Sequence, residues 1–475
     1  MSPGHGILGN CGPAVAGESR RRGRDEGLLT SPVRFIARAV DSFHPRKVGA
    51  FSRANYRREL VASLFFPVAL AAVEGAVVAV VVKKAYTGVV PPVHLAYAVG
   101  VLASAGELAN ITSFLWAAVA HGRRKIRFIA ALMAVVAAMV AVVAVAPRTP
   151  AGLWVLAGAV LAARVSMAGV FTLRATVWRA NYGRGDRARA TGKFSTIQVM
   201  VVACVALAVG ACQDRSAEWF RVVLLAASAM GAVGVAAYSR VRVRGHRRLV
   251  LDERDEEDGP TFSPLSLWRV LRADRHFAAF MLCMFIIGTG NLMLTAPLTL
   301  TLADEFGLGS MPSMVIMTVL PYLVIPWAIP AWTRLMARRH VVRFRVVHSW
   351  VFVASQAVVL VAAVTRTLEL MYIGALFQGI AFAGGSLAWN LGHLDFAPPH
   401  KASQYMGVHV TLNGVRGLLA PFLAVSIYEG LRGWRAGAEH WVFACSVVLC
   451  AAGAIGFAWL ARAMGPAADS PGRGG

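Results

Sequence analysis

At 475 residues, 57% hydrophobic and only 15% charged, with a mean hydropathy of +0.59, the chain carries far more apolar surface than a water-soluble core absorbs. Its net charge of +24 does not point to nucleic acid, because the arginines cluster in alternate loops and no basic helix interleaves them with exposed aromatics. The six cysteines, mostly in apolar segments and without a Cys-x-x-Cys pair, give no metal site and no sign of a disulfide.

The leader, residues 1–58, is basic. Its first 30 residues are rich in Gly, Pro, Ser and Arg and are expected to be disordered. Gly4-His5-Gly6-Ile7-Leu8-Gly9 fits the dinucleotide fingerprint by letter, but no strand can precede it and no βαβ unit follows. Val33, Ile36, Ala37 and Val40 recur at helical spacing, which fits either a short helix on the membrane surface or a solvated basic leader. Apolar runs begin only near Leu60, so no cleavable signal peptide is expected and the first helix serves as the uncleaved signal.

Apolar runs follow at 60–83, 93–120, 126–147, 151–176, 191–212 and 217–238, then at 276–302, 311–334, 345–365, 368–391, 404–428 and 439–462. Each is long enough to cross a hydrocarbon core of about 30 Å as a helix. The expected fold is therefore all-α: twelve transmembrane helices in two six-helix bundles, 59–238 and 276–463, with a disordered tail at 464–475. Between the bundles, residues 239–275 run from RVRVRGHRR to DERDEED and read as a solvated cytoplasmic linker.

The loops after the second, fourth, sixth and eighth runs hold the basic residues, among them Arg123, Arg124, Lys125 and Arg127, and Arg338 and Arg339. The positive-inside rule then puts both termini in the cytoplasm of a multi-pass protein of the inner or plasma membrane. Lys83 and Lys84 fall on the other side and are expected to snorkel at the outer interface. Trp116 to Phe128, WAAVAHGRRKIRF, is matched 216 residues later by Trp332 to Phe344, WTRLMARRHVVRF, with four identities in thirteen positions. Each copy follows the second apolar run of its half, so the chain reads as two repeats.

No phosphate-binding loop, H-E-x-x-H pair or G-x-S-x-G elbow occurs, and no cofactor is expected. Gly288-Thr289-Gly290-Asn291 reads as close helix packing with one polar contact. What remains is polar residues at membrane depth, where a central charge costs about 2.5–3.5 kcal/mol on insertion scales. Glu74 and Arg164 fall near mid-depth in the first and fourth runs and suit either a structural ion pair or a titrating site. Ser104, Glu107 and Asn110 form one stripe; His409, Asn413 and Arg416 form another. Gln198, Asn291, Gln378 and Asn390 add neutral hydrogen-bonding groups, and Pro321, Pro326 and Pro330 predict a kinked eighth helix.

The two arginine-rich turns, two six-run halves and long central connection together resemble the major facilitator superfamily over about residues 58–463. Gly122-Arg123-Arg124-Lys125 matches the basic end of that family's signature after the second helix, and Arg338-Arg339 resembles its weaker copy. The signature Asp is absent, with Val119 and Leu335 in its place. Arg164 with Gly169 is similar to the family's Arg-Gly motif in helix four, one residue too far apart, and Gln378-Gly379 looks like the corresponding place in helix ten. The Gly-Pro motif of drug/proton antiporters is missing from 191–212.

The resemblance implies a non-enzymatic, monomeric secondary transporter that moves a small-molecule substrate by alternating access, coupled to protons or another ion. It implies a cavity lined by helices one, four, seven and ten, with Glu74, Arg164, Asn291 and Gln378 on the substrate and proton pathway. Glu107, Asn110, Asn413 and Arg416 would lie at the seam between bundles, and Arg123, Arg124, Lys125, Arg127, Arg338, Arg339 and Arg343 in cytoplasmic gate loops. Two other readings stand beside it: a sensor or scaffold of this fold that does not transport, and a membrane enzyme using His393, Asp395 and His400.

Overall fold

The computed structural model describes residues 41–182, 184–255, 264–397 and 402–465, and these are helical nearly throughout. Of the described residues, 41–53 and those from Ala54 onward fall in two separate units. In the first, Asp41 pairs with Lys47 at 2.9 Å, and His44 accepts from the Arg46 amide at the start of a 3-10 turn, Pro45–Lys47. The stretch from Val33 to Val40 and the Gly4–Gly9 fingerprint lie outside the described residues.

Lipid offers the backbone no hydrogen-bond partners, so long apolar segments must satisfy their own amides and carbonyls as helices. Among the described residues ten helices are individually long and apolar enough to cross a membrane, and two bent pairs, each taken as one span, bring the number to twelve. The first span joins α1a, Arg53–Ala72, to α1b, Gly75–Tyr86, at a bend of 41°. The second joins α2a, Pro92–Ala103, to α2b, Ala105–Ala109, at 56°, and continues through a 3-10 turn, Asn110–Thr112, into α2c, Ser113–Val119.

Neither break falls at a proline; Pro67 is carried inside α1a. Glu74 instead adopts an extended conformation, φ −67° and ψ 134°, and Ser104 sits at φ −106° and ψ 13°. The two breaks lie against each other. A Cβ on Gly75 would come within 2.1 Å of the Ala103 carbonyl oxygen, so only glycine permits this crossing.

The remaining spans are α3 (Lys125–Val145), α4 (Pro150–Asn181), α5 (Arg184–Arg215), α6 (Phe220–Tyr238), α7 (Arg275–Asp304), α9 (Val341–Thr365), α10 (Leu368–Leu391), α11 (Ala402–Trp434) and α12 (Val442–Met464). The eighth comprises α8a, Ser310–Met314, a π turn, Val315–Val319, and α8b, Leu320–Arg338. The π turn re-routes the backbone hydrogen bonds just before Pro321, Pro326 and Pro330 are carried inside α8b, and Ser310–Arg338 forms a single span of 29 residues. Several helices outrun their apolar stretches. α4 reaches Asn181 and α5 begins at Arg184, because polar turns prolong a helix beyond the hydrocarbon where the hydropathy pattern falls silent.

Within the first half α3 packs on α4 and α6; within the second α7 packs on α11 and α12, α9 on α10 and α12, and α8b on α10. The halves meet where α11 crosses α2a and α2b and where α5 packs on α8a. The sequence repeat has a structural counterpart. Trp116 meets Phe128 edge-on at 6.1 Å in the first half, and Trp332 meets Phe344 edge-on at 5.6 Å in the second.

The connection between halves is described over residues 239–255 and 264–275. It contains two short helices, His246–Asp255 and Pro264–Ala273. Its first residues are pinned by side chains of the bundle: the Asn55 amide exchanges hydrogen bonds with the Arg242 backbone, and Asn181 accepts from the Arg244 amide.

Candidate functional site

A cavity of about 540 Å³ lies between the halves, and residues of α1b, α2b, α4, α5, α7, α8, α9, α10 and α11 line it. Glu74 reaches it from the break between α1a and α1b. That position would ordinarily cap a helix, but its side chain makes no capping bond. Instead Arg164 Nη2 of α4 lies 3.1 Å from Glu74 Oε2, and the Tyr322 hydroxyl of α8b donates to Oε1 at 3.1 Å. One carboxylate is thereby held by both halves at once.

Gly106 gives the Arg164 guanidinium its room, since a Cβ there would approach Nη2 to 2.8 Å. On the second-half side, Gln378 Nε2 donates to Asn291 Oδ1 at 2.7 Å, and the Ser355 hydroxyl donates to Gln378 Oε1 at 2.8 Å. The four residues expected on the pathway thus reach one cavity as two interacting pairs.

Glu107, Asn110, Asn413 and Arg416 also line the cavity. The seam runs along it: a Cβ on Gly417 would meet Glu107 at 2.6 Å, and one on Gly414 would meet Ile111 at 2.2 Å. Glu107 and Arg416 share the space without an ion pair between them among the described residues. Arg416 donates through Nη1 to the Met284 carbonyl at 2.8 Å and through Nη2 to Asn413 Oδ1. Gly288 makes the gap for it; a Cβ there would fall 1.8 Å from Nη1.

In the arginine-rich turns, Arg123, Arg124, Arg127, Arg338 and Arg339 are exposed and form no ion pair among the described residues. Lys125 turns inward, 3% exposed, and its ammonium donates to the Ala120 carbonyl at 2.6 Å. Gly122 takes φ +63°, the left-handed value a tight turn asks of glycine. Arg343 is half-buried at the start of α9. Asp395 accepts from the Val341 amide at 2.7 Å and so serves as a helix cap, and His400 lies outside the described residues. Burial holds the nearby His340 imidazole below its ordinary range, while Asp395 pulls it the other way.

Tyr322, Arg345 and Ser355 at the cavity carry no clear signal in the sequence. Tyr322 follows Pro321 in a stretch read only as a kink. Arg345, 3% exposed, donates to His348 Nδ1 at 3.1 Å, and His348 Nε2 bonds the Ala381 carbonyl at 2.8 Å. The available signal was the three-residue spacing of Arg345 and His348 inside an apolar run.

At the end opposite the arginine-rich turns, further polar contacts join the halves. Lys83 pairs with Asp304 at 2.7 Å and is 11% exposed, so it does not snorkel outward as expected; Arg432 adds a second cation at 3.8 Å. Asp214 at the end of α5 accepts from the amides of Ser310 and Met311 at the start of α8a. Tyr97 and Ser426 bond through their hydroxyls at 2.8 Å.

The family model described as the Major Facilitator Superfamily matches residues 75–421. No curated protein matches the chain. Among solved structures, a D-xylose-proton symporter aligns with a TM-score of 0.67 and 10% identity, covering 86% of this chain and 97% of its own. The nucleoside transporter NupG aligns with a TM-score of 0.63 and 12% identity, covering 85% and 98%. A bacterial homolog of the human lysosomal transporter Spinster, in an inward-facing and unoccupied conformation, aligns with a TM-score of 0.61 and 13% identity, covering 88% and 99%.

Proposed function

The chain belongs to the major facilitator superfamily, and from that premise we propose that it is a proton-coupled secondary transporter moving a small solute by alternating access. The observation that carries this reading is Glu74, bound by Arg164 from one half and Tyr322 from the other at the wall of the cavity. Both the xylose symporter and NupG move solutes of a size that suits a space of about 540 Å³.

In this mechanism Glu74 is the group that exchanges a proton. As a carboxylate it neutralises Arg164 and accepts from Tyr322, which ties the halves together near mid-depth. Protonation removes the negative charge, frees the guanidinium and weakens the acceptor for Tyr322, so that the halves separate more easily at this point. The contacts of Asp214, Lys83, Asp304 and Tyr97 lie beyond it and would form the outer gate. With both termini cytoplasmic, the cavity then belongs to an inward-facing state.

A thermal-shift screen of metabolites and antibiotics on purified protein supplies the substrate, and reconstitution into proteoliposomes supplies the flux. Glu74→Gln is expected to retain substrate binding and to lose uptake or release driven by a pH gradient. Unchanged pH-driven flux in that variant would show that Glu74 is not the coupling residue. Binding without translocation in the wild-type protein would favour a sensor of the same fold, a role the missing Asp in both arginine-rich turns leaves open.

A further inference from the structure

Among the described residues five charged side chains line the cavity: Glu74, Glu107, Arg164, Arg345 and Arg416. Three guanidiniums against two carboxylates leave one positive charge over. Glu74 and Arg164 neutralise each other. Glu107 is then the one remaining cavity carboxylate for both Arg345 and Arg416, and among the described residues it forms no ion pair with either.

Both of these arginines stand in the wall contributed by the second half, and both are held by neutral acceptors. Arg345 has the His348 ring nitrogen; Arg416 has the Met284 carbonyl and the Asn413 side chain. The Nε atom of each is buried without a partner. Their charges also act on one another. A buried, unmatched guanidinium is costly in a membrane protein, and two in one wall raise the cost through mutual repulsion. Such an arrangement is stable in use only when another group brings negative charge into the cavity.

We propose that this wall recognises the carboxylate of a small organic anion, bound by Arg345 and Arg416. The planar guanidinium fork suits a carboxylate, which accepts two parallel hydrogen bonds. The organic body would lie along Phe352, Phe382 and Trp389, which line the same side of the cavity. Even if Glu107 swings to pair with Arg416, Arg345 stays unmatched, so the site retains a place for one negative charge. The inference rests on the reading of this cavity as the substrate site.

The test is a binding titration of the purified full-length protein against aromatic and aliphatic monocarboxylates, each paired with its uncharged amide. Inorganic phosphate and phosphatidylglycerol vesicles serve as competitors. Acids that bind are expected to exceed their amides by about tenfold or more. Arg345→Gln is expected to abolish that preference, and Arg345→Lys to restore part of it. Unliganded Arg345→Gln is expected to unfold at no lower temperature than the wild type, because it removes an unmatched charge; a structural arginine would give the opposite result.

Amides that bind as well as their acids, or a panel in which no acid binds, would overturn the assignment. So would competition by phosphatidylglycerol or phosphate at the strength of the carboxylates, which would mean a lipid headgroup or bare anion as occupant. Acids that bind but are not carried in proteoliposomes would sink the transport reading and leave the anion site standing. Carriage of neutral solutes with no preference for acids would do the reverse.

Discussion

A methyl group added at Gly75 and one added at Gly288 would meet very different neighbours. At Gly75 it falls 2.1 Å from a backbone carbonyl, so α1b and α2a must move apart; overpacking of this kind costs typically about 1–3 kcal/mol. At Gly288 it falls 1.8 Å from the tip of Arg416, which can swing away. Gly75→Ala is therefore expected to lower the melting temperature clearly. Gly288→Ala should leave it close to wild type while displacing Arg416 from the Met284 carbonyl and weakening carboxylate binding; thermal unfolding and titration separate the two. Glu74, Arg164 and Arg416 were legible in the sequence because a charge inside an apolar run has few innocent explanations. Tyr322 and Arg345 were not. Tyrosine is at home in a membrane helix, and Arg345 sits at the first position of its apolar run, where a basic residue reads as part of the cytoplasmic turn.

The paired Trp–Phe contacts show how far duplicated elements have diverged. Trp116 packs with Leu132 against Gly169 of α4, and Trp332 packs with His348 against Gly384 of α10. Their polar ends differ: the Trp332 indole donates to the Ile380 carbonyl at 2.9 Å, whereas the Trp116 indole nitrogen is buried without a partner. Both Trp→Phe changes lose the same packing volume, so Trp332→Phe should cost about 1 kcal/mol more than Trp116→Phe, for the hydrogen bond that only it loses. Equal melting temperatures for the two variants would contradict this account. The positions of the spans were legible from apolar runs alone. The breaks at Glu74 and Ser104 were not, because neither carries a proline and both depend on how α1 and α2 cross. The π turn before Pro321 was likewise not legible: the three prolines predicted a kink but not that the backbone hydrogen bonds change register just ahead of them.

Across the whole molecule, side-chain bonds from Asp214, Lys83 and Tyr97 join the halves at the end away from the arginine-rich turns. Asp214 carries much of that join, since a carboxylate accepting two amides at a helix start makes charge-assisted bonds worth about 1.5–3 kcal/mol each. Asp214→Ala is expected to shift the conformational balance toward opening at that end, read as faster modification of a cysteine placed at Leu298 by a membrane-impermeant thiol reagent. An unchanged rate would mean that Lys83 and Asp304 hold the gate without it. These contacts were invisible in the sequence, where Asp214 lay in a short loop and Lys83 looked like an anchor to lipid. The donors opposite Asp214 are main-chain amides, which substitutions at Ser310 and Met311 leave in place. Gly210 and Gly309 are different, because a Cβ on the first would come within 2.7 Å of the Met311 backbone and one on the second within 2.7 Å of the Asp214 carboxylate. A genetic selection for variants freed from a closed state should therefore return changes at 210, 214 and 309 while passing over 310 and 311, an uneven map of mutations drawn by which partner contributes side chain and which contributes backbone.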